Sequence, residues 1–182
     1  MTTTAEPAFS LETEVPTAGQ MTELGGRLAR LLIAGDLVVL SGALGAGKTT
    51  LTRGIGAGLK VRGPVTSPTF VIARVHPSLA GGPDLVHADA YRLGSRAEVD
   101  DLDLDADLAT SVTVVEWGEG LVETLAGSYL AIGIDAEPPA GPAAGEANAA
   151  ETDQPRTVRI AGWGERWQSA AAQVRQALTG GQ

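Results

Sequence analysis

Residues 37–55 read LVVLSGALGAGKTTLTRGI, and this stretch decides the fold. Leu37–Leu40 is a wholly apolar run, which is typical of a strand buried on both faces of a parallel sheet. The next residues, Gly42–Thr49, match the pattern G-x-x-x-x-G-K-[ST], and a helical stretch over Lys48–Leu59 follows. A phosphate-binding P-loop requires this order of strand, glycine-rich turn and helix. The stretch therefore predicts an α/β protein of the P-loop class.

The P-loop residues predict contacts with the phosphates of ATP and with Mg²⁺. Glycines let backbone N–H groups face an anion, and the N-terminus of the following helix adds its positive dipole end. Lys48 is expected to contact the β- and γ-phosphates, and the hydroxyl of Thr49 is expected to ligate Mg²⁺. The predicted nucleotide-binding residues are Gly42, Leu44, Gly45, Ala46, Gly47, Lys48, Thr49 and Thr50.

A second carboxylate is expected near this loop, to hold Mg²⁺ or orient water. Two acids follow apolar strand patterns: Asp89 ends DLVHAD, and Glu116 ends SVTVVE. Ligands of open α/β sheets bind outside the carboxyl ends of the strands, so both acids are predicted to face the phosphates. Lys48, Asp89 and Glu116 are the candidate catalytic residues, and Thr49 and Glu116 are the candidate metal ligands. The pattern leaves open which acid serves the metal and which the water.

Several further residues near these motifs allow two interpretations. The segment Thr66–Thr69 places hydroxyls between two prolines, which suits either a switch loop that senses the γ-phosphate or an ordinary rigid turn. His87 by itself is typical of a structural strand residue rather than of a base. The candidate catalytic arginines are Arg53, Arg74 and Arg92.

The length of the chain fits one domain, over residues 1–182, built around this P-loop, and hydrophobic periodicity predicts its elements. The predicted strands are Phe9–Val15, Leu37–Leu40, Phe70–Val75, Asp84–Asp89, Ser111–Val115, Tyr129–Ile134 and Thr157–Ile160. The predicted helices are Thr17–Ile33, Lys48–Leu59, a short one within Ser95–Asp107, and Trp163–Leu178. Residues 1–8 are expected to be loose. Residues 136–154, rich in Ala, Pro, Gly and Glu, are expected to form a disordered insertion, remote in sequence from the motifs and without effect on the chemistry.

Composition narrows the possible environments and partners of the chain. The 182 residues include no cysteine, which excludes disulfides and thiolate metal sites. No stretch approaches the roughly 20 apolar residues of a membrane span, so we expect a cytoplasmic protein with no membrane contact. The net charge of −9 repels a phosphate backbone, so tight direct binding of nucleic acid is not expected.

Motif inspection also narrows the class of P-loop protein. The only asparagine is Asn148, so the guanine-reading motif Asn-Lys-x-Asp of standard GTPases is absent. The LSGGQ signature of ABC-type ATPases is absent as well. A partner-regulated ATPase, a small-molecule kinase and a nucleotide-binding adaptor that hydrolyses nothing all stay open on these grounds.

Four stretches together resemble the TsaE family, the small ATPase of bacterial tRNA threonylcarbamoyladenosine formation. They are GDLVVLSGALGAGKTTLTRGI (35–55), VTSPTF (65–70), HADAYRL (87–93) and VVEWGEGL (114–121). They occur in the order of the family, and the resemblance spans about residues 17–125. One departure is Ala43, where many relatives carry an acidic or polar residue. A cradle made of backbone groups is not expected to suffer from that change.

The resemblance implies a three-layer P-loop fold with a mostly parallel sheet and additional antiparallel strands. It also implies slow Mg²⁺-dependent ATP hydrolysis in support of TsaB and TsaD, of which TsaD transfers threonylcarbamoyl to adenosine 37 of tRNA. Contact of this chain with tRNA would then be indirect. The roles that the family carries over are phosphate and Mg²⁺ contacts for Lys48 and Thr49, Mg²⁺ for Glu116, water or metal for Asp89, a switch-like loop for Ser67 and Thr69, and a place near nucleotide or partner for Trp117.

Overall fold

The computed structural model describes residues 6–68, 72–136 and 154–179, which form one sheet with helices on both faces. The strands are β1 (Phe9–Val15), β2 (Leu37–Gly42), β3 (Ala73–His76), β4 (Asp84–Asp89), β5 (Ser111–Glu116), β6 (Tyr129–Ala136) and β7 (Arg156–Trp163). The helices are α1 (Ala18–Ala29), α2 (Lys48–Leu59), α3 (Arg96–Asp100), α4 (Leu104–Leu108) and α5 (Glu165–Thr179), with a 3₁₀ turn at Glu123–Leu125.

The sheet is mixed, with a parallel centre. Its order is β1-β7-β6-β2-β5-β4-β3. Strands β6, β2, β5 and β4 run parallel to one another. At the two sides, β7 pairs antiparallel with β6 and β3 pairs antiparallel with β4, and β1 pairs antiparallel with β7. In this register Glu116 lies opposite both Leu40 and Asp89. The predicted α/β P-loop sheet is confirmed, and the carboxyl ends of its central strands meet at one edge.

Side chains alternate between two hydrophobic cores because successive residues of a strand point to opposite faces. On one face, Leu40 and Val114 pack with helices α1, α2 and α5. On the other, Val39 and Val115 pack with α3 and α4. The expected three-layer arrangement is confirmed, and α2 lies on the first of these faces.

Helices α1 and α2 approach so closely that their backbones touch at glycines. A Cβ atom added to Gly54 of α2 would lie 2.1 Å from the carbonyl oxygen of Thr22 in α1. One added to Gly25 of α1 would lie 2.3 Å from the carbonyl oxygen of Leu51. These contacts fix the helix that begins at the P-loop against its neighbour.

The first helix confirms its predicted cap but ends earlier than predicted. The Thr17 hydroxyl accepts a hydrogen bond from the backbone N–H of Gln20 at 3.2 Å. The helix stops at Ala29 rather than at Ile33, because the Asp36 carboxylate accepts the N–H of Ile33 at 2.9 Å and a turn leads into β2.

Other boundaries differ for similar local reasons. The acidic stretch 95–107 forms two short helices rather than one, since Asp103 adopts a positive φ of 52° between them. The last helix begins at Glu165 because β7 continues through Trp163. Strand β3 begins at Ala73, and Phe70 lies outside the described residues. The 3₁₀ turn had no signal in the sequence pattern.

The predicted insertion, residues 136–154, falls almost wholly outside the described residues, and it stays a prediction. Residues 137–153 and 1–5 are not described, and Ala136 is the last residue of β6. Its flanks nevertheless lie near the P-loop. Ile134 pairs with Gly42, and the Arg156 Nε atom lies 3.5 Å from the position of a Cβ on Gly47. Remoteness in sequence is therefore not remoteness in space. None of the described helices has both the length and the apolar character needed to cross a membrane.

Candidate nucleotide-binding site

The loop between β2 and α2 has a backbone that glycine makes possible. Gly42 and Gly47 adopt positive φ angles of 142° and 115°. A Cβ on Gly42 would also lie 2.4 Å from the carbonyl oxygen of Ile134, so a side chain has no room there. Helix α2 begins at Lys48, directly after this turn. The predicted arrangement of strand, turn and helix N-terminus is present.

Lys48 is held inside this loop rather than extended into solvent. Its side chain is buried, and its Nζ atom donates to the carbonyl oxygens of Gly42 at 2.7 Å and Ala43 at 2.9 Å. Nζ also lies 4.0 Å from the ring centroid of Trp117, a cation–π distance. Burial lowers the pKa of Lys48, while the charges of Glu116 and Asp89 oppose that shift. The ammonium group thus lies against the carbonyl oxygens at the start of the loop.

The first turn of α2 and the end of β5 meet at Thr49 and Glu116. The Thr49 hydroxyl donates to Glu116 Oε1 at 2.9 Å, and the Glu116 side chain is almost wholly buried. Oxygen ligands suit Mg²⁺, which proteins bind through one or two carboxylates together with substrate phosphates. No group of three or more His, Asp or Glu side chains that would make a self-sufficient metal site occurs among the described residues. The pair fits a cation that is shared with a nucleotide.

His87 joins this pair, although the sequence pattern marked it as structural. Its Nε2 atom lies 2.8 Å from Glu116 Oε1, and its ring is fully buried. The signal that was available is the spacing of His87 and Asp89, two residues apart in β4, which places both on one face of the sheet. Glu116 lies opposite Asp89 in the register, so it shares that face.

Asp89 occupies the adjacent strand end without a hydrogen bond to the P-loop among the described residues. Its Oδ1 atom accepts the backbone N–H of Tyr91 at 2.9 Å, which shapes the turn after β4. The Tyr91 ring lies 5.2 Å from the ring of Trp117. Trp117 itself adopts a positive φ of 60°, an uncommon conformation for a large residue that is often found at functional sites.

The side chains of the other predicted P-loop residues are either exposed or packed inward. Leu44 projects outward with 90% of its surface exposed. Ala46 and Thr50 have buried side chains, so only their N–H groups can face a ligand from within the loop. All eight predicted binding residues therefore lie on one continuous segment that runs from β2 into α2.

Two of the three candidate arginines contact the segment that follows α2. The Arg53 Nε atom donates to the carbonyl oxygen of Val65 at 3.1 Å, and Arg74 Nη1 donates to the Thr66 hydroxyl at 3.2 Å. Arg74 thus contacts the segment predicted as a switch or a turn, and Arg53 contacts the residue directly before it. Thr69 lies outside the described residues. Arg156, which the sequence pattern did not single out, is buried against Gly47 from the start of β7, two strands away from β2 in the sheet.

The chain is similar to known proteins of one family. A family profile described as "Threonylcarbamoyl adenosine biosynthesis protein TsaE" matches residues 15–141. The tRNA threonylcarbamoyladenosine biosynthesis protein TsaE of Streptomyces coelicolor is 61% identical over 155 residues, which cover 85% of this chain and 98% of that protein. The protein of the same name from Mycobacterium tuberculosis is 50% identical over 128 residues, 66% of this chain and 76% of its own.

A solved structure shares the fold. Bacillus subtilis YdiB superposes with a TM-score of 0.67 at 26% identity, over 92% of this chain and 95% of that one. The profile match includes the P-loop, Asp89 and Glu116, and the Streptomyces relative is similar over nearly its whole length. This chain belongs to the TsaE family of tRNA threonylcarbamoyladenosine biosynthesis proteins.

Proposed function

We propose that this chain is an Mg²⁺-dependent ATPase that hydrolyses ATP to ADP and phosphate in support of tRNA threonylcarbamoyladenosine formation. The observation that carries the proposal is the contact between Thr49 and Glu116 beside the P-loop. It puts a hydroxyl and a carboxylate together at the start of α2, next to a buried lysine. A glycine-rich turn that was only structural would not require a buried acid at this point.

The proposed mechanism is in-line attack of water on the γ-phosphate, with catalysis by positioning and charge. Lys48 leaves the carbonyl oxygens of its own loop and pairs with the β- and γ-phosphates. Asp89 orients the attacking water, because the Glu116 carboxylate is already engaged by Thr49, whereas the Asp89 carboxylate accepts the N–H of Tyr91 and makes no hydrogen bond to the P-loop residues that the structure describes. Two candidate arginines are occupied with residues 65–66, so the chain alone would turn over slowly.

Thr49 and Glu116 are the residues that would hold Mg²⁺ in this scheme. When bound, the ion neutralises charge on the phosphate oxygens. The carboxylate fits this role because it is buried at the strand end and faces the hydroxyl at 2.9 Å. Charge repulsion between the carboxylate and the phosphates would otherwise oppose nucleotide binding, which predicts that binding tightens with Mg²⁺.

For partners, we propose TsaB and TsaD in the cytoplasm, with tRNA reached through them. Membership of the family supports a place in this modification, and the net charge of −9 disfavours a direct grip on tRNA. The chain would then supply ATP turnover to a complex that makes the modified base, without contacting adenosine 37 itself.

The test is ATP hydrolysis by the purified chain, alone and with the TsaB–TsaD pair. We expect a low rate alone and a higher rate, coupled to tRNA modification, with the pair. Transfer of the γ-phosphate to an added small acceptor in place of water would replace the proposal with a kinase. ATP bound but never cleaved, with or without the pair, would contradict hydrolysis and indicate an adaptor.

A further inference from the structure

We propose that His87 is a positioning residue for Glu116, holding the carboxylate in the orientation in which it shares Mg²⁺ with Thr49. The inference rests on the proposed function, because it concerns the same metal. His87 is fully buried and contacts Glu116, so it acts through that carboxylate and not on the phosphates.

The register of two strands creates the contact. His87 lies opposite Val114, and Asp89 lies opposite Glu116, on the parallel strands β4 and β5. His87 is therefore the diagonal neighbour of Glu116 on the face that carries α2. The distance from Nε2 to Oε1 is 2.8 Å, which is a hydrogen bond between two side chains that are both buried.

The surroundings of the ring decide which nitrogen carries the proton. The Nδ1 atom of His87 is buried and has no hydrogen-bond partner among the described residues. A proton there would be a buried donor without an acceptor, which is unfavourable, whereas a proton on Nε2 is donated to Glu116. A proton on Nε2 therefore satisfies the contact with Glu116, whereas Nδ1 has no acceptor in the described part of the chain to which it could donate.

Glu116 Oε1 thus receives two hydrogen bonds, from Thr49 on the helix and from His87 on the sheet. The Thr49 hydroxyl is the group that nucleotide and metal would engage, so its hydrogen bond is the one that binding can perturb. The His87 ring is 0% exposed and out of reach of a ligand. It therefore keeps the carboxylate in place whether or not the site is filled, and the metal need not order Glu116 on arrival.

The experiment compares His87→Leu, which removes the donor, with His87→Gln, whose amide N–H can replace it. The readout is binding of a non-hydrolysable fluorescent ATP analogue, mant-AMPPNP, titrated with Mg²⁺ and repeated in EDTA. Groups that orient a metal ligand typically change metal affinity by about 10- to 100-fold. We expect the Mg²⁺ midpoint of His87→Leu to rise by about that factor, with affinity in EDTA unchanged, and His87→Gln to recover most of the shift.

Several outcomes would overturn the inference. An unchanged Mg²⁺ midpoint in His87→Leu would do so, even with a lower melting temperature, because that pattern describes packing alone. If His87→Leu does not fold, His87→Asn takes its place, since its shorter amide cannot reach Glu116. A Mg²⁺ midpoint of His87→Asn equal to that of His87→Gln would then overturn it. Nucleotide binding by the unsubstituted chain that ignores Mg²⁺ would instead contradict the proposed function, and the inference with it.

Discussion

At the scale of one residue, Lys48 is held in place by contacts of its ammonium group. The group donates hydrogen bonds to two carbonyl oxygens of the loop and lies at a cation–π distance from the Trp117 ring. These contacts offset the cost of burying a charge and keep the group where phosphate would arrive. Under the proposed function, an incoming nucleotide would replace these carbonyl oxygens with charged phosphate oxygens, which are stronger acceptors.

We therefore predict that Lys48→Ala removes most ATP affinity. Hydrogen bonds to charged groups contribute about 1.5–3 kcal/mol, and losing that energy makes the dissociation constant about 10- to 150-fold larger. Lys60→Asn is the matched control, because it removes the other lysine of the chain at a site with φ of 57° that asparagine tolerates. Equilibrium titration with a fluorescent ATP analogue measures both, and equal affinities for the two variants would contradict the site.

Substitutions of Glu116 and of Asp89 should have different effects on Mg²⁺ dependence and on hydrolysis. Glu116→Ala should keep nucleotide binding but lose Mg²⁺ dependence and hydrolysis. Asp89→Asn should keep Mg²⁺-dependent binding and lose about 10²- to 10⁴-fold in rate, the usual contribution of a group that handles the proton of the attacking water. Asparagine preserves the acceptor for the Tyr91 N–H, so the turn survives. Exposed Glu119→Ala is the control. Full hydrolysis by Glu116→Ala would transfer its role to Asp89.

The buried ring of His76 should make the stability of the fold depend on pH. Burial lowers its pKa below the ordinary value of 6.5, His87 and Arg74 lower it further, and a hydrogen bond to the Arg62 carbonyl opposes the shift. A base whose folded-state pKa is depressed contributes stability that is present above pH 6.5 and lost as the pH falls through the lowered pKa. We expect the difference in unfolding free energy between wild type and His76→Gln to be constant above pH 6.5 and to shrink below it. Denaturant unfolding across pH 5–8 measures this, and a difference that does not change with pH would refute it.

At the scale of elements, the P-loop depends on the packing of α1 against α2. The glycines at this contact bring the two backbones together, so the helix that begins at the phosphate cradle is held along its length. Arg166 of α5 holds the turn between α1 and β2, since it donates hydrogen bonds to the Asp36 carboxylate and to the Leu31 carbonyl oxygen. The site is therefore supported by contacts between residues that are not themselves candidates for binding or catalysis.

Substitution of Gly54 should expose this dependence. Its added Cβ would meet the Thr22 carbonyl oxygen at 2.1 Å, so Gly54→Ala must push the helices apart, at a cost of about 1–3 kcal/mol. Gly26→Ala on α1 is the control, because its Cβ would find its nearest atom only at 4.0 Å and alanine favours a helix by up to about 1 kcal/mol. Chemical denaturation should thus show a lower free energy of unfolding than wild type for Gly54→Ala and a higher one for Gly26→Ala. A neutral Gly54→Ala would mean that the contact is looser than described.

At the scale of the whole molecule, net charge governs the relation to tRNA. With 13 basic and 22 acidic side chains, the chain carries a charge of −9. Counterion release from a phosphate backbone requires basic groups gathered on one surface, and the overall field here opposes approach.

We predict that the chain alone binds tRNA no more tightly than about 0.1 mM at physiological salt, the weak end of non-specific binding. Fluorescence anisotropy with labelled tRNA, first without and then with TsaB and TsaD, measures this. Association that appears only with the pair agrees with indirect contact. Submicromolar binding by the chain alone would refute it and direct attention to a local basic surface.

Much of the fold and of the site was predictable from local pattern. The spacing of Gly42–Thr49, the apolar run of β2 and the two strand-end acids are short-range features, because a turn, a buried strand and a helix start each depend on neighbouring residues. The boundaries that were missed, at Ile33 and within residues 95–107, depended on a single carboxylate and a single positive φ.

By itself, then, the sequence determined the class of the protein, its P-loop and the candidates Lys48, Thr49, Asp89 and Glu116. Only the tertiary structure decided which of these meet: that Glu116 contacts Thr49 and His87, and that Arg156 packs against the loop. The reason is physical. Contacts between strands far apart in the chain depend on sheet order and register, and a shift of one residue in β4 would turn His87 to the opposite face.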